Sequence, residues 1–173
     1  MSVFYINLVW GGNNMIEILK LLEANSKLTA GQIAAMLDME EQEVEKSIAA
    51  YEADGTILKY TALVDYDKTE EEVVKALIEV KISPQRGEGF ERIAERIYQY
   101  DEVESLYLMS GAFDLAVTIS STSMKSVAEF VYAHLATIEG VTGTSTHFIL
   151  KKYKENNCVF AEQPEQEERL YFV

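Results

Sequence analysis

The sequence predicts an α+β chain in two parts: three helices leading into a strand, then strands and helices alternating in the order βαββαβ. Three observations carry this. Apolar residues recur at helical spacing three times before residue 55, and the second stretch opens on the capping-box pattern Thr29-Ala30-Gly31-Gln32. Thr56 to Asp65 is rich in β-branched and aromatic residues, as strands are. Beyond the charged connector Asp65 to Glu72, runs of strand character alternate with runs of 3.6-residue period.

The first helix starts near Met15, where Ile16, Leu19 and Leu22 line one face and Ile18 and Leu21 widen the stripe, and Asn25-Ser26-Lys27 breaks it. In the second helix the Thr29 hydroxyl and the Gln32 side chain satisfy free amides reciprocally, while Ile33, Ala34 and Leu37 face inward. Asp38-Met39 forms the turn. The third helix places Val44, Ile48 and Tyr51 on one side, and Gly55 closes it as a left-handed cap. Thr56 to Asp65 is then expected as a strand, so that residues 15–68 form a winged helix-turn-helix with a hinge strand.

The second part, residues 69–158, reads as strand Val73 to Ile82, helix Gly89 to Tyr98, strand Val103 to Met109, a tight turn, strand Phe113 to Ser120, helix Ser123 to Ile138 and strand Val141 to Tyr153. Phe90, Ile93, Ala94 and Ile97 place the first of these helices; Val127, Phe130, Val131, His134, Leu135 and Ile138 place the second. This is the order of a ferredoxin-like fold, an antiparallel sheet with both helices on one face. The other face is left open, which predicts a homodimer, or a higher oligomer, built through residues 73–153. Along the last strand Phe148, Leu150 and Lys152 alternate with His147, Ile149 and Lys151, and one set is expected at a subunit interface.

Residues 1–14 carry no charged side chain and read as an N-terminal extension, with Met15 the expected start; residues 159–173 read as an acidic tail, a polar linker ending in the candidate docking segment Leu170-Tyr-Phe-Val173. The net charge of −14 repels nucleic acid and anionic membranes at long range. No apolar run approaches the ~18 residues that span a bilayer, so no membrane partner is expected. One cysteine, Cys158, allows no internal disulfide and suits a reducing cytoplasm. No phosphate-binding loop, metal-ligand cluster or nucleophile elbow is present, and neither a cofactor nor a metal is expected.

Three segments together resemble the Lrp/AsnC, or feast/famine, regulators: Gly55-Thr-Ile-Leu-Lys-Tyr-Thr-Ala-Leu-Val-Asp65 after the third helix, Ser110-Gly-Ala-Phe-Asp114 between two strands, and Gly140-Val-Thr-Gly-Thr-Ser-Thr146 leading into the last strand. The resemblance covers about residues 15–155. It implies a cytoplasmic transcription regulator that binds double-stranded DNA, dimerises through its C-terminal domain and responds to a small effector, commonly an amino acid. The effector would lie near the Gly-x-Tyr/Phe-Asp turn, which points to Ser110, Gly111, Ala112 and Asp114. A glycine turn lets backbone amides approach a carboxylate, and Asp114 could accept from an α-ammonium group. The same residues also suit a plain β-turn.

The electrostatics depart from this pattern. Residues 15–68 hold five lysines against eleven carboxylates, and Glu40 to Asp54 holds one against six. With one lysine, Lys46, among the carboxylates of the third helix, the dominant phosphate attraction is largely missing, so DNA binding is expected to be weak and salt-sensitive. Relatives usually carry Arg near the position of Ser47. The residues carried over as DNA contacts are Thr29 and Gln32, then Gln42, Lys46 and Ser47, and Lys59 beyond them. One alternative is a small-molecule sensor whose acidic helix-turn-helix no longer binds DNA. The other is an enzyme, since a few relatives of this architecture decarboxylate tetrapyrroles. That would need a catalytic His or Arg in a cleft, yet His134 lies in a helix stripe and His147 on a strand, and the chain reads as no enzyme.

Overall fold

The computed structural model describes residues 11–83 and 89–160. The first ten residues of the expected extension, and the acidic tail from residue 161 on, lie outside them. The chain divides into two compact units between Leu63 and Val64.

The first unit holds α1 (Gly11–Ala24), α2 (Ala30–Leu37) and α3 (Glu41–Ala53). Helix α1 takes in Gly11 to Asn14, upstream of the expected start at Met15. Its buried stripe is rotated from the expected one: Ile18 and Leu22, one turn apart, are buried, whereas Ile16 is 55% exposed. These two pack with Ile33 and Ala34 of α2 and Val44 of α3. Complete burial of Ile18, Ile33 and Val44 stabilises by about 1.5–3 kcal/mol each. The capping box forms as the sequence spells it, with the Thr29 hydroxyl accepting from the Gln32 backbone amide (3.2 Å) and the Gln32 side-chain oxygen Oε1 accepting from the Thr29 backbone amide (2.9 Å). Asp38, at φ 53°, ends α2 in left-handed conformation. Gly55, at φ 79°, follows the end of α3 and needs the conformation only glycine adopts freely. Ile48 and Tyr51 are half-buried, and the Tyr51 hydroxyl donates to the Met15 carbonyl at 3.1 Å.

The expected strand Thr56 to Asp65 is not one. Among the described residues it pairs with nothing, and a strand exists only as part of a ladder. A 3-10 turn, Tyr66–Lys68, follows.

The second unit is built on β1 (Val74–Ile82), α4 (Phe90–Ile97), β2 (Val103–Leu108), β3 (Leu115–Ser121), α5 (Met124–Phe130) and β4 (Val141–Phe148). The sheet runs β2-β3-β1-β4 with every pair antiparallel. Ala76, Ile78 and Val80 of β1 stand beside Leu115, Val117 and Ile119 of β3 and pack with Ile93, Ile97, Val127 and Phe130 of the helices. The opposite face carries Lys75, Leu77 and Glu79 of β1 and, across from Leu77 and Glu79, His147 and Ser145 of β4. Of the two alternating sets on the last strand, Phe148 packs against the helix-side core and His147 lies on the other face.

Three details differ from the sequence reading. The helix begun at Ser123, whose hydroxyl accepts from the Ser126 amide, turns into a π-helical turn at Val131–Leu135. Strand β4 ends at Phe148 rather than Tyr153, because among the described residues its only neighbour is β1 and the ladder runs out there after one further bond, Ile149 N–H to Lys75 C=O. Past it, β5 (Lys154–Glu155) and β6 (Cys158–Val159) form a hairpin turned by Asn156 and Asn157, both at positive φ, as a two-residue type I′ turn requires.

Candidate nucleic-acid interface and effector turn

Helices α2 and α3 with the short Asp38–Glu40 turn between them make a helix-turn-helix. Burial of Val44 turns Glu41, Gln42, Glu45, Lys46 and Ala49 outward on α3. Of the expected DNA contacts, Gln42, Lys46 and Lys59 are exposed side chains. Thr29 and Gln32 are exposed too, but each gives an oxygen to the capping box, leaving the Thr29 hydroxyl proton and the Gln32 amide group for an outside partner. The Ser47 hydroxyl is turned back onto its own helix, donating to the Glu43 carbonyl at 2.9 Å. Lys20 is paired with Glu17 at 2.7 Å.

Sequence reasoning missed the part Gly31 plays. A Cβ built there would lie 2.8 Å from a Glu41 carboxylate oxygen, so Glu41 rests against the first turn of α2. That turn has no acidic residue of its own, and a carboxylate beside a helix N-terminus meets unpaired amides and the positive end of the helix dipole.

In the second unit, Ser110, Gly111 and Ala112 form the exposed tip of the turn between β2 and β3. Asp114 sits at its base and is held three ways. Its amide donates to the Val80 carbonyl (3.0 Å), its carbonyl accepts from the Met109 amide (2.8 Å), and carboxylate oxygen Oδ2 accepts from the Ile82 amide (2.7 Å). The side chain thus extends the β1–β3 ladder beyond Val80–Leu115, beside the irregularity between Lys81 and Ile82. One oxygen is committed to this bond; the other is the one an α-ammonium group would have to use. A separate groove of about 490 Å³, lined by Phe90, Ala94, Tyr98, Leu106 and Leu108 among others, lies between α4 and β2 and does not take in the turn.

On the face of the sheet away from the helices, the Lys75 ammonium reaches Glu104 at 2.6 Å, and the Ser120 hydroxyl donates to the same carboxylate. Partial burial works against the Glu104 charge, but these hydrogen bonds and the charges of Lys75 and Lys152 outweigh it and hold the carboxyl below its ordinary value. His147 Nε2 lies 3.3 Å from Glu79 and 3.3 Å from the Ser145 hydroxyl. His134 packs against Tyr100 and Phe130, with ring centroids 4.6 and 5.4 Å away.

Residues 75–159 match the Lrp/AsnC ligand binding domain, and 145 residues of the chain are 47% identical to YugG of Bacillus subtilis, described as an uncharacterized HTH-type transcriptional regulator, over 83% of this chain and 87% of that one. The chain belongs to the Lrp/AsnC family of transcriptional regulators. The HTH-type transcriptional regulator FL11 of Pyrococcus furiosus is 25% identical over 80% of this chain and 89% of its own. Among solved structures, the Neisseria meningitidis regulator NMB0573, crystallised with L-Met, superposes with a TM-score of 0.67 at 24% identity over 82% of this chain and 91% of that one. Escherichia coli AsnC gives 0.64 at 15% identity over 83% and 94%. These two likenesses establish the fold. Among the described residues no helix is long and apolar enough to cross a membrane.

Proposed function

We propose that this Lrp/AsnC regulator binds double-stranded DNA weakly through α2 and α3, and that a small effector, an amino acid, acts on it at the β2–β3 turn of a homodimer or larger oligomer. Thr29, Gln32, Gln42, Lys46, Ser47 and Lys59 are the proposed DNA contacts; Ser110, Gly111, Ala112 and Asp114 are the proposed effector contacts. The observation that carries the reading is the capped helix-turn-helix with the polar face of α3 left to solvent, in a chain of this family. The crystallised complex of a neighbour with L-Met supports an amino acid as the class of effector.

The sheet supports the homodimer. Among the described residues no helix covers its outer face, and Leu77 there is only half-buried among Lys75, Glu79 and His147.

Anisotropy binding of labelled genomic fragments at low salt, with and without a panel of amino acids, tests the whole reading. Fragments retained in low salt and lost in about 0.2 M salt, with a shift on adding one amino acid, are the expected result. One observation favours a second reading. Glu41 already covers the first turn of α2, where a DNA phosphate would otherwise meet free amides, so this helix-turn-helix suits a basic protein partner as well. Absence of binding to any duplex, effector present, would select that reading.

A further inference from the structure

Strand β2 is the outermost of the sheet, and among the described residues no strand pairs with its free edge. Beside that edge runs the groove of about 490 Å³ between β2 and α4. Phe90, Ala94 and Tyr98 follow one another at four-residue spacing along α4 and its C-cap. Leu106 and Leu108 stand on the helix side of β2, opposite the core residues Val117 and Leu115 of β3. Tyr98 and Leu108 are nevertheless 58% and 62% exposed. The described lining holds two carboxylates, Glu91 and Glu104, and neither Lys nor Arg. A free edge beside an apolar groove accepts an added strand: the edge supplies backbone hydrogen bonds, and the groove takes alternate side chains.

The chain supplies a segment of matching chemistry. Residues 161–173, outside the described ones, finish on Leu170, Tyr171, Phe172 and Val173 behind Arg169, the only cation after Lys154. Their starting point is beside the groove. Past β4 the Ile149 amide donates to the Lys75 carbonyl, and the Lys75 ammonium reaches Glu104 at 2.6 Å. Lys152 adds to the positive charge that Glu104 feels, and its ammonium lies 5.4 Å from the centre of the Phe160 ring. The described chain thus ends near Glu104, itself part of the groove lining. The ten residues from Phe160 to Leu170 reach at most about 33–36 Å, whereas the six residues of β2 span about 20 Å. The segment can therefore be laid anywhere along β2.

We propose that residues 170–173 dock on the free edge of β2 of their own chain, with Leu170 and Phe172 in the groove against α4 and Arg169 set against Glu91. Alternate residues of an added strand share a face. Leu170 and Phe172 carry no polar side-chain atom, whereas the Tyr171 hydroxyl needs water or a partner and belongs on the other side, with Tyr107. Glu104 already answers to Lys75 and Ser120, so Glu91 is the carboxylate for Arg169. Helix α4 leads into β2, which puts its first turn, with Glu91, toward the Leu108 end; the docked segment then runs antiparallel to β2. Glu162, Glu165, Glu167 and Glu168 stay in water as the span between. A tether this short gives an effective concentration on the order of millimolar, which favours the same chain over a second copy. The groove ends at the Leu108–Leu115 rung, so the docked segment braces β2 at the base of the Ser110 to Asp114 turn.

Cysteine pairs in the full chain test this, with Cys158→Ser removing the exposed native thiol. Opposed residues of an antiparallel pair have Cα atoms about 4.5–5.5 Å apart, inside the range for a disulfide. On oxidation with copper–phenanthroline, Phe172→Cys should close a disulfide within one chain to Leu106→Cys or Leu108→Cys. Tyr171→Cys with the same partners should give several-fold less. Non-reducing gels and intact mass separate bonds within a chain from bonds between chains. Hydrogen exchange gives a second reading that leaves the folded part unaltered. Leu170→Ser with Phe172→Ser should speed exchange of the amides in 103–108 several-fold, whereas Tyr171→Ser should change it little. Bonds formed chiefly between chains would mean that the groove takes a second copy's tail, and would overturn docking within one chain. Equal yields from Phe172→Cys and Tyr171→Cys, or β2 amides indifferent to Leu170→Ser with Phe172→Ser, would overturn the docking itself.

Discussion

Replacing Asp114 separates two roles that the β2–β3 turn combines. Its Oδ2 accepts from the Ile82 amide at 2.7 Å in a part-buried setting, where β1 has no further partner on β3. Asp114→Ala removes the acceptor and leaves that amide without its charged partner, a loss of about 1.5–3 kcal/mol for a hydrogen bond to an ionised group. In a unit of this size each kcal/mol moves the thermal midpoint by about 4–8 °C, so the variant should melt roughly 6–24 °C lower. Asp114→Asn keeps an acceptor oxygen and loses only the charge; its cost should fall to about 0.5–1.5 kcal/mol. The two proposed functions then diverge. An α-ammonium group needs the carboxylate charge, so Asp114→Asn should fold, dimerise and lose amino-acid affinity. Urea denaturation followed by circular dichroism reads the first effect, and titration calorimetry with the amino acid identified in the DNA-binding screen reads the second. An Asp114→Ala chain with an unchanged urea midpoint would refute the claim that this carboxylate pins the turn to β1. Unaltered calorimetric affinity in Asp114→Asn would remove it from the effector site.

Further expectations concern the acidic helix and the sheet. Changing Glu41 and Glu45 together to Gln should raise affinity for all duplexes alike, because lifting repulsion from phosphates carries no base information; selective gain for one sequence would show that a carboxylate reads a base. With Lys20 tied to Glu17, Lys46 and Lys59 are left to displace counterions, so log affinity should fall with log salt at a slope near −2 for each helix-turn-helix engaged, and a much steeper slope would mean that cations elsewhere bind phosphate. Gly31→Ala should leave stability unchanged or raise it by up to about 1 kcal/mol, since alanine favours the helix and the flexible end of Glu41 can swing aside; a clear loss in a urea titration would show that the Glu41 contact is worth more than the helix gains. Glu104 is held below its ordinary value of 4.5, so its pairing contributes stability in full above that pH and loses it as pH falls through the lower folded value. Lys75→Met should therefore flatten the acid limb of the stability curve below about pH 4.5; an acid limb unchanged by the substitution would show that the Lys75 pair does not stabilise the sheet.

Much of the fold was legible because local chemistry and burial agree. Thr29 and Gln32 write the start of α2, Gly55 writes the end of α3, and the apolar alternation of Ala76, Ile78 and Val80 writes the core strand. Where the reading failed, the deciding atoms were distant in sequence. Thr56 to Asp65 has the composition of a strand, but composition cannot supply the neighbour that a ladder requires. Ile149 to Tyr153 continues an alternating pattern past the point where β1 has bonds to give. The π turn at Val131–Leu135 winds residues that suit an α-helix equally well. The hairpin at 154–159 was overlooked, although Asn156-Asn157 is a turn signal that could have found it. At the candidate site, the turn was visible as Gly111 and Asp114, whereas the grip of Asp114 on Ile82, 32 positions away, belongs to the fold alone. Of the proposed DNA contacts, sequence could place Gln42 and Lys46 on the outside of α3, but the turning back of Ser47 and the folding of Glu41 over Gly31 are facts of side-chain packing.

The outer face of the sheet joins attraction to discrimination. Leu77 and Tyr107 offer it something to bury, while Glu79 beside His147, and Lys75 beside Glu104, fix where charge must be answered. A covering chain that matched the apolar outline and not those positions would strip water from unpaired ions, and the penalty would exceed the gain from contact. Were the proposed homodimer built on this face, in a cell that holds several chains of one fold, that penalty would work as a kin-recognition code, by which a handful of ionic positions would keep each regulator to its own kind without any change in architecture.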